Sequence, residues 1–314
     1  DAEDAHRGDP VQTEAMKKNT LIKLILTIGL FIAIFYKINP EEIIEVFSEI
    51  DPGYVIIAIS FVPILYILRT YRWKLYLQHL GVDTHFPKLL KTLMIGQFYG
   101  LITPGKLGEL GRVYHLHASK AVTIPTVIAE KIVDLFVLSA LGLTTVFIFF
   151  PSQGVMISLL LAFLCMLIIG AGILTNRKSI GYVVKRFGVT EEEVETYIAS
   201  ILSLFKHKPL VGGVLLTTVS YYAINYIIGY FVLLALDVDV IAVITIPIIV
   251  LIGNIPITIS GLGLRESVGT FCFVLLGIEG IYGFSFSLIL FGIITLIPGL
   301  MGYVLFMRSG SSDA

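Results

Sequence analysis

Apolar runs long enough to cross a bilayer recur along this chain from residue 21 to residue 307, and a water-soluble core has no use for so many of them. A hydrocarbon layer about 30 Å thick needs roughly 20 apolar residues of helix, because lipid offers the backbone no hydrogen-bond partners. Runs at 21–38, 54–68 with its continuation, 125–150, 155–174, 209–236 and 281–307 meet that need. With 56% hydrophobic and only 14% charged residues, and a mean hydropathy of +0.90, the chain reads as an all-α polytopic membrane protein. The net charge of -1 points to no partner, and the basic residues are scattered along loops, which excludes nucleic acid. Cys165 and Cys272 both lie in apolar runs and read as packing residues.

Residues 1–15 are polar and aperiodic and read as a disordered leader or tag, and 309–314 as a tail. This leaves 16–308 as a single transmembrane domain. Asn39-Pro40 opens a short segment in which Glu41, Glu42, Glu45 and Glu49 share the turns with Ile43, Ile44, Val46 and Phe47, the pattern of an amphipathic surface helix. The polar insert at 177–208 predicts a second one, since Thr190 and Glu193 have capping-box spacing and apolar residues follow at helical intervals. In the segment RTYRWKLYLQHLG, Arg69, Arg72 and Trp73 look like an interfacial belt, with cations and amphipathic rings at headgroup depth.

The apolar pattern breaks twice. Residues 88–101 make about 14 residues of helix, roughly 21 Å, too short to span. They run into GLITPGKLGELGRVYHLH at 100–117, where Thr103 is placed to cap a restarting helix with Pro104 at its first position. Beyond it Gly105, Gly108 and Gly111 recur every third residue, and Lys106, Glu109, Arg112 and His115 do the same beside them. The second break, NIPITISGLGLRES at 254–267, repeats the plan, with Ser260 as cap, Gly261 and Gly263 in the turn, and Arg265 and Glu266 as the charges.

If both breaks are re-entrant hairpins, about six full spans remain. Lys17, Lys18, Lys88, Lys91, Arg112, Lys120, Arg177, Lys178 and most other cations then fall on one side, and Asp237, Asp239 and Glu279 on the other. That arrangement obeys the positive-inside rule with both termini cytoplasmic. The two hairpins then enter from opposite faces, and 53–150 and 209–307 form an inverted repeat with both restarting helix ends directed at one interior site. Helix N-termini carry free N–H groups and partial positive charge, which suits an anion such as a lipid phosphate. Glu130 and Asp134 share one face of the 125–150 helix at intramembrane depth. Such carboxylates need a partner or a wet cavity, and Lys131, Lys106 and Arg112 are the candidate partners. A structural ion pair and a role in substrate or proton movement both fit.

RTYRWKLYLQHLG, TPGKLGELGR, AEKIVDLF and GNIPITISGLGLRES, in this order, resemble the lysylphosphatidylglycerol synthase transmembrane, or flippase-like, family over residues 21–307. The resemblance implies the membrane half of the bacterial multiple peptide resistance factors, a flippase for aminoacylated phosphatidylglycerol without the soluble aminoacyl-transferase. It places Arg69, Arg72, Pro104, Gly105, Gly108, Glu109, Arg112, Glu130, Asp134, Gly261, Gly263, Arg265 and Glu266 at recurrent positions. Ser260 departs from it, standing where a glycine is usual. Relatives that stand alone or accompany glycosyltransferases make a polyprenyl-phosphate-linked or glycosylated lipid a further candidate.

The expectation is therefore a multi-pass cell-membrane transporter whose partners are membrane lipids, with self-association or a lipid-modifying enzyme as further partners. The substrate-binding set is Thr103, Gly105, Lys106, Glu109, Arg112, Glu130, Asp134, Ser260, Gly261, Gly263, Arg265 and Glu266. No metal or cofactor is called for: His115 and His117 fall on different helix faces, and the Gly100-to-Lys106 spacing lacks the strand and the hydroxyl of a phosphate loop. The competing readings are an intramembrane enzyme of lipid-phosphate chemistry using Glu130 and Asp134, and a non-catalytic partner subunit of a lipid-modifying glycosyltransferase.

Overall fold

The computed structural model describes residues 40–104, 106–176 and 190–310. The leader, the first apolar run at 21–38, Gly105, the first part of the insert and residues 311–314 lie outside the described residues.

Helix α1 (Pro40–Glu49) is the acidic amphipathic helix, exposed except where Val46 is buried. Asp51 caps α2 (Pro52–Ser60) by accepting the Gly53 N–H at 2.7 Å. After Phe61 the chain continues as α3 (Val62–His79), and together they make one rod of 28 residues. The sixteen-residue α4 (Phe86–Leu101) is about 24 Å long and does not qualify as a span. The chain then turns and comes back along α4 as a 3₁₀ helix (Leu107–His115). A repeat of three residues is what a 3₁₀ helix aligns on one face, so the every-third-residue spacing of glycines and charges has the tighter helix as its form, not the α-helix it suggested.

Helix α5 (Lys120–Phe149) begins five residues before Pro125, which sits inside its second turn instead of starting it. Glu130 and Asp134 consequently lie about 15 and 21 Å from the helix start. Helix α6 (Gly154–Thr175) follows, almost wholly exposed, resting on α5. The capping box at Thr190 and Glu193 is formed at both ends and starts α7 (Glu191–Lys206), which packs beneath α5. Helix α8 (Lys208–Ala235) lies against α2 and α3.

A short 3₁₀ turn (Val240–Thr245) leads into α9 (Ile246–Gly253), and after a loop α10 (Leu264–Leu275) runs back against it. The last span is α11 (Gly280–Phe291), a π turn (Gly292–Leu296) and α12 (Ile297–Gly310). In this span Gly299 and Gly302 lie on α4, whereas Gly292 faces open space and opens the π turn. Five helices among the described residues are long and apolar enough to cross a membrane. The final span packs along α4, and α5 packs along α9, so each helical hairpin is gripped by the span that follows the other in sequence.

Candidate functional site

The two hairpin tips meet. Pro104 and Ile259 form an antiparallel bridge, and the Ser260 N–H donates to the Thr103 carbonyl at 3.3 Å. Both tips hold a side-chain-bearing residue in the left-handed region, Lys106 at φ 57° and Ser260 at φ 52°. Conformations of this kind cost of order 1 kcal/mol or more and persist only where surrounding contacts fix them.

Each tip also satisfies its own orphan donors. The Thr103 hydroxyl accepts the Gly108 N–H at 2.7 Å while donating to the Tyr99 carbonyl, so it caps the 3₁₀ helix from five residues away. In the second hairpin the cap is not Ser260. Helix α10 starts at Leu264, and the Glu266 carboxylate reaches back to the Gly263 N–H at 2.6 Å. The Ser260 hydroxyl is buried and has no hydrogen-bond partner among the described residues. One N–H at each of these helix starts, that of Gly108 and that of Gly263, is thus already bonded to a side chain of its own hairpin.

Arg69, Arg72 and Trp73 are not an interfacial belt. They turn inward from α3, and Arg72 and Trp73 are fully buried. Arg69 donates to Glu109 at 2.7 Å and to Gln97 at 2.8 Å, and lies 3.4 Å from Glu130. Arg72 bonds Glu130 at 2.8 Å, grips both oxygens of Asp134 at 2.6 and 2.9 Å, and donates to the Thr218 hydroxyl. Arg112 pairs with the second Glu130 oxygen and stacks over Trp73, 4.2 Å from the ring centre. Lys131 pairs with Glu109 at 2.8 Å. Asp134 therefore takes Arg72, not Lys131, Lys106 or Arg112, as its partner.

Glycine makes this possible, since a Cβ at Gly96 or Gly100 would lie 2.8 Å from the Arg112 or Glu109 side chain. Four cations, Arg69, Arg72, Arg112 and Lys131, surround three carboxylates, Glu109, Glu130 and Asp134. Arg112 is fully buried in this lattice and faces none of the three cavities described below.

Beside the lattice, two further cations have no carboxylate at ion-pair distance among the described residues. The Lys106 Nζ has only the Thr295 hydroxyl, at 3.5 Å. Arg265 lies over Phe291 at 4.2 Å, reaches the Gly261 carbonyl at 3.4 Å, and leaves one terminal nitrogen unpartnered although the residue is 7% exposed. Both line a cavity of about 60 Å³ in which Tyr221, Asn225, Asn254 and Thr295 stand among apolar side chains such as Ile249, Leu290 and Ile294. A second of about 50 Å³ joins Lys106 and Asn254 to Arg69, Glu109, Lys131 and Asp134. A third, of about 330 Å³, is an apolar groove between α5 and α6. Lys106 and Asn254 line all three, so the tips form a junction between a charged interior and an apolar trough.

Lys106, Arg265, Glu109 and Asp134 thus line the junction, while Thr103, Ser260, Gly261, Gly263 and Glu266 shape the tips; Gly105 lies outside the described residues. Asn254, Asn225, Tyr221 and Thr295 escaped the sequence reading. The signals available for them were Asn225, an amide within an apolar span, and Asn254, the first residue of the second break. At the open end of the 3₁₀ helix, His115 meets the Tyr99 hydroxyl at 3.0 Å, and burial, with Lys91 and Lys120 nearby, holds its pKa below the ordinary value. No group of three or more His, Cys, Asp or Glu side chains among the described residues is placed to hold a metal.

The lysylphosphatidylglycerol synthase TM region family matches residues 20–302. The chain is 29% identical over 139 residues to a UPF0104 membrane protein of Methanocaldococcus jannaschii, covering 42% of this chain and 38% of that one. A UPF0104 membrane protein of Methanothermobacter thermautotrophicus is 28% identical over 137 residues, covering 42% and 40%. The glycosyltransferase AglD of Haloferax volcanii is 27% identical over 123 residues, covering 38% of this chain and 20% of that enzyme. The aligned segments thus span about two fifths of the first two relatives. No solved structure matches.

Proposed function

Because this chain belongs to the lysylphosphatidylglycerol synthase TM region family, we propose that it is a multi-pass lipid transporter whose two helical hairpins are re-entrant and enclose the substrate head group between their tips. The carrying observation is the cation excess at the junction: Lys106 and Arg265, neither at ion-pair distance from a carboxylate among the described residues, sit beside a lattice with more arginines and lysines than carboxylates. Charge inside a membrane protein without a counter-ion is costly, and an anionic head group supplies one. The substrate in this reading is an anionic or amphiphilic lipid, which can be a phospholipid, an aminoacylated lipid or a polyprenyl-phosphate-linked lipid.

The reciprocal packing of the two hairpins supports an inverted repeat about an axis in the membrane plane, with 53–150 and 209–307 as its halves and both termini cytoplasmic in the cell membrane. Self-association and a lipid-modifying enzyme as partner belong to the same reading; the glycosyltransferase name of one relative supports the latter.

The test is translocation of a fluorescent anionic phospholipid in reconstituted vesicles. Lys106→Gln and Arg265→Gln are expected to reduce it at least tenfold while the thermal transition stays within a few degrees of the parent. Unchanged transport in both variants overturns the proposal. Glu130 accepts from three arginines, so in this reading it acts as their counter-ion. A new covalent product from labelled lipid and purified protein would instead establish an enzyme.

A further inference from the structure

The groove between α5 and α6 differs from the two smaller cavities in size. Its volume of about 330 Å³ falls within the range of small-molecule sites, roughly 300–1,000 Å³, whereas the smaller cavities have room for only a few waters each. Its walls are Ile128, Ile132 and Leu135 from α5 and Met166, Leu167 and Leu174 from α6. Lys106, Lys131 and Asn254 also line it. The α6 wall packs on α5 and only lightly on α7, and is otherwise exposed along its length. Gly170 and Ala171 line the groove from that wall, and a Cβ at Gly170 would meet nothing within 4 Å.

We propose that this groove seats one hydrocarbon chain of the lipid whose anionic head lies at Lys106, and that the gap between α5 and α6 is where that chain enters from the bilayer. The inference rests on the transport reading given above and adds to it the place of the apolar part. Charge complementarity fixes the occupant. A trough of aliphatic side chains that also carries an amide and Lys106, which has no carboxylate at ion-pair distance among the described residues, suits a molecule apolar over most of its length and negative at one end. A neighbouring apolar helix would leave Lys106 with no carboxylate. The small residues on α6 keep the trough wide enough for a chain, and the light anchoring of α6 allows it to swing outward.

Gly170→Phe tests this without disturbing the packed interior, because the new ring has open space and the helix loses a glycine. Gly172→Phe is the control: it too meets nothing within 4 Å, but Gly172 does not line the groove. Binding to the full chain in nanodiscs would be measured with oleoyl lysophosphatidic acid, with monoolein as the uncharged chain and glycerophosphate as the head alone. The parent and Gly172→Phe should bind the lysophosphatidic acid at least tenfold more tightly than either fragment, and Gly170→Phe should lose that advantage while its weak glycerophosphate binding is unchanged. Equal binding by parent and Gly170→Phe overturns the groove assignment and leaves the transport reading standing. Loss of transport function throughout, with the Gly170→Phe binding difference intact, overturns transport and keeps the groove. A changed oligomeric mass in Gly170→Phe with lipid binding unaltered assigns the groove to a second copy of the chain and also overturns the proposal.

Discussion

At the scale of single residues, the charge lattice sets what substitution can show. Glu130 holds Arg69, Arg72 and Arg112 together, and it is 2% exposed. Replacing it by Gln strands buried guanidinium charge, a class of change that costs about 3–5 kcal/mol. Glu130→Gln should therefore lower the midpoint of thermal unfolding in detergent markedly, and Asp134→Asn, whose side chain is 16% exposed, by less. The reverse order would show that Glu130 is not the hub. Loss of transport in a Glu130 or Arg112 variant thus cannot by itself place either residue in the transport step, whereas Lys106 and Arg265 are separable from folding.

Ser260 gives a second residue-scale expectation. It sits at φ 52° with a buried hydroxyl that bonds nothing among the described residues, so Ser260→Gly removes both penalties and should stabilise by about 1 kcal/mol. Ser260→Val should destabilise, and chemical unfolding of the two variants side by side distinguishes them. The glycine usual at this position in the family the sequence resembles has the same physical reason.

At the scale of elements, the hairpins are held by close backbone approach. Gly302 of α12 lies against the Met94 carbonyl of α4, and any side chain there must push the two helices apart. Gly302→Leu should cost about 1–3 kcal/mol through overpacking and loosen α4, read as faster amide exchange over residues 86–101. Gly292→Leu, in open space on the same span, should leave that exchange unchanged. An effect of equal size from both would mean that the glycines act through helix propensity and not through contact.

At the scale of the whole molecule, function in the proposed reading depends on whether the paired tips part. Directly opposed residues of an antiparallel pair have Cα atoms roughly 4.5–5.5 Å apart, within the reach of a disulfide. Pro104→Cys with Ile259→Cys, in a Cys165→Ser background because Cys165 is exposed, should cross-link on oxidation. If transport requires the tips to separate, the oxidised protein will be inactive and a reductant will restore it. Full cross-linking with transport intact would show that the tips stay joined through the cycle.

The amino-acid sequence by itself determined the class, most span boundaries, both breaks and the amphipathic insert helix. Hydropathy and capping are local properties, written within one or two turns, so 154–175 and the Thr190 capping box were legible before any fold was known. It could not tell an arginine at a membrane surface from one turned inward. Arg69 and Arg72 have the same neighbours in sequence either way, and only Glu109, Glu130 and Asp134, brought in from elsewhere in the chain, make their burial possible. The tertiary structure likewise decided that Glu266, not Ser260, caps α10 and that Lys106 and Arg265 converge. Pairing of charges across the fold depends on which helices meet, and that meeting is set by packing between segments far apart in the chain, 40 residues for Arg69 and Glu109 and 62 for Arg72 and Asp134.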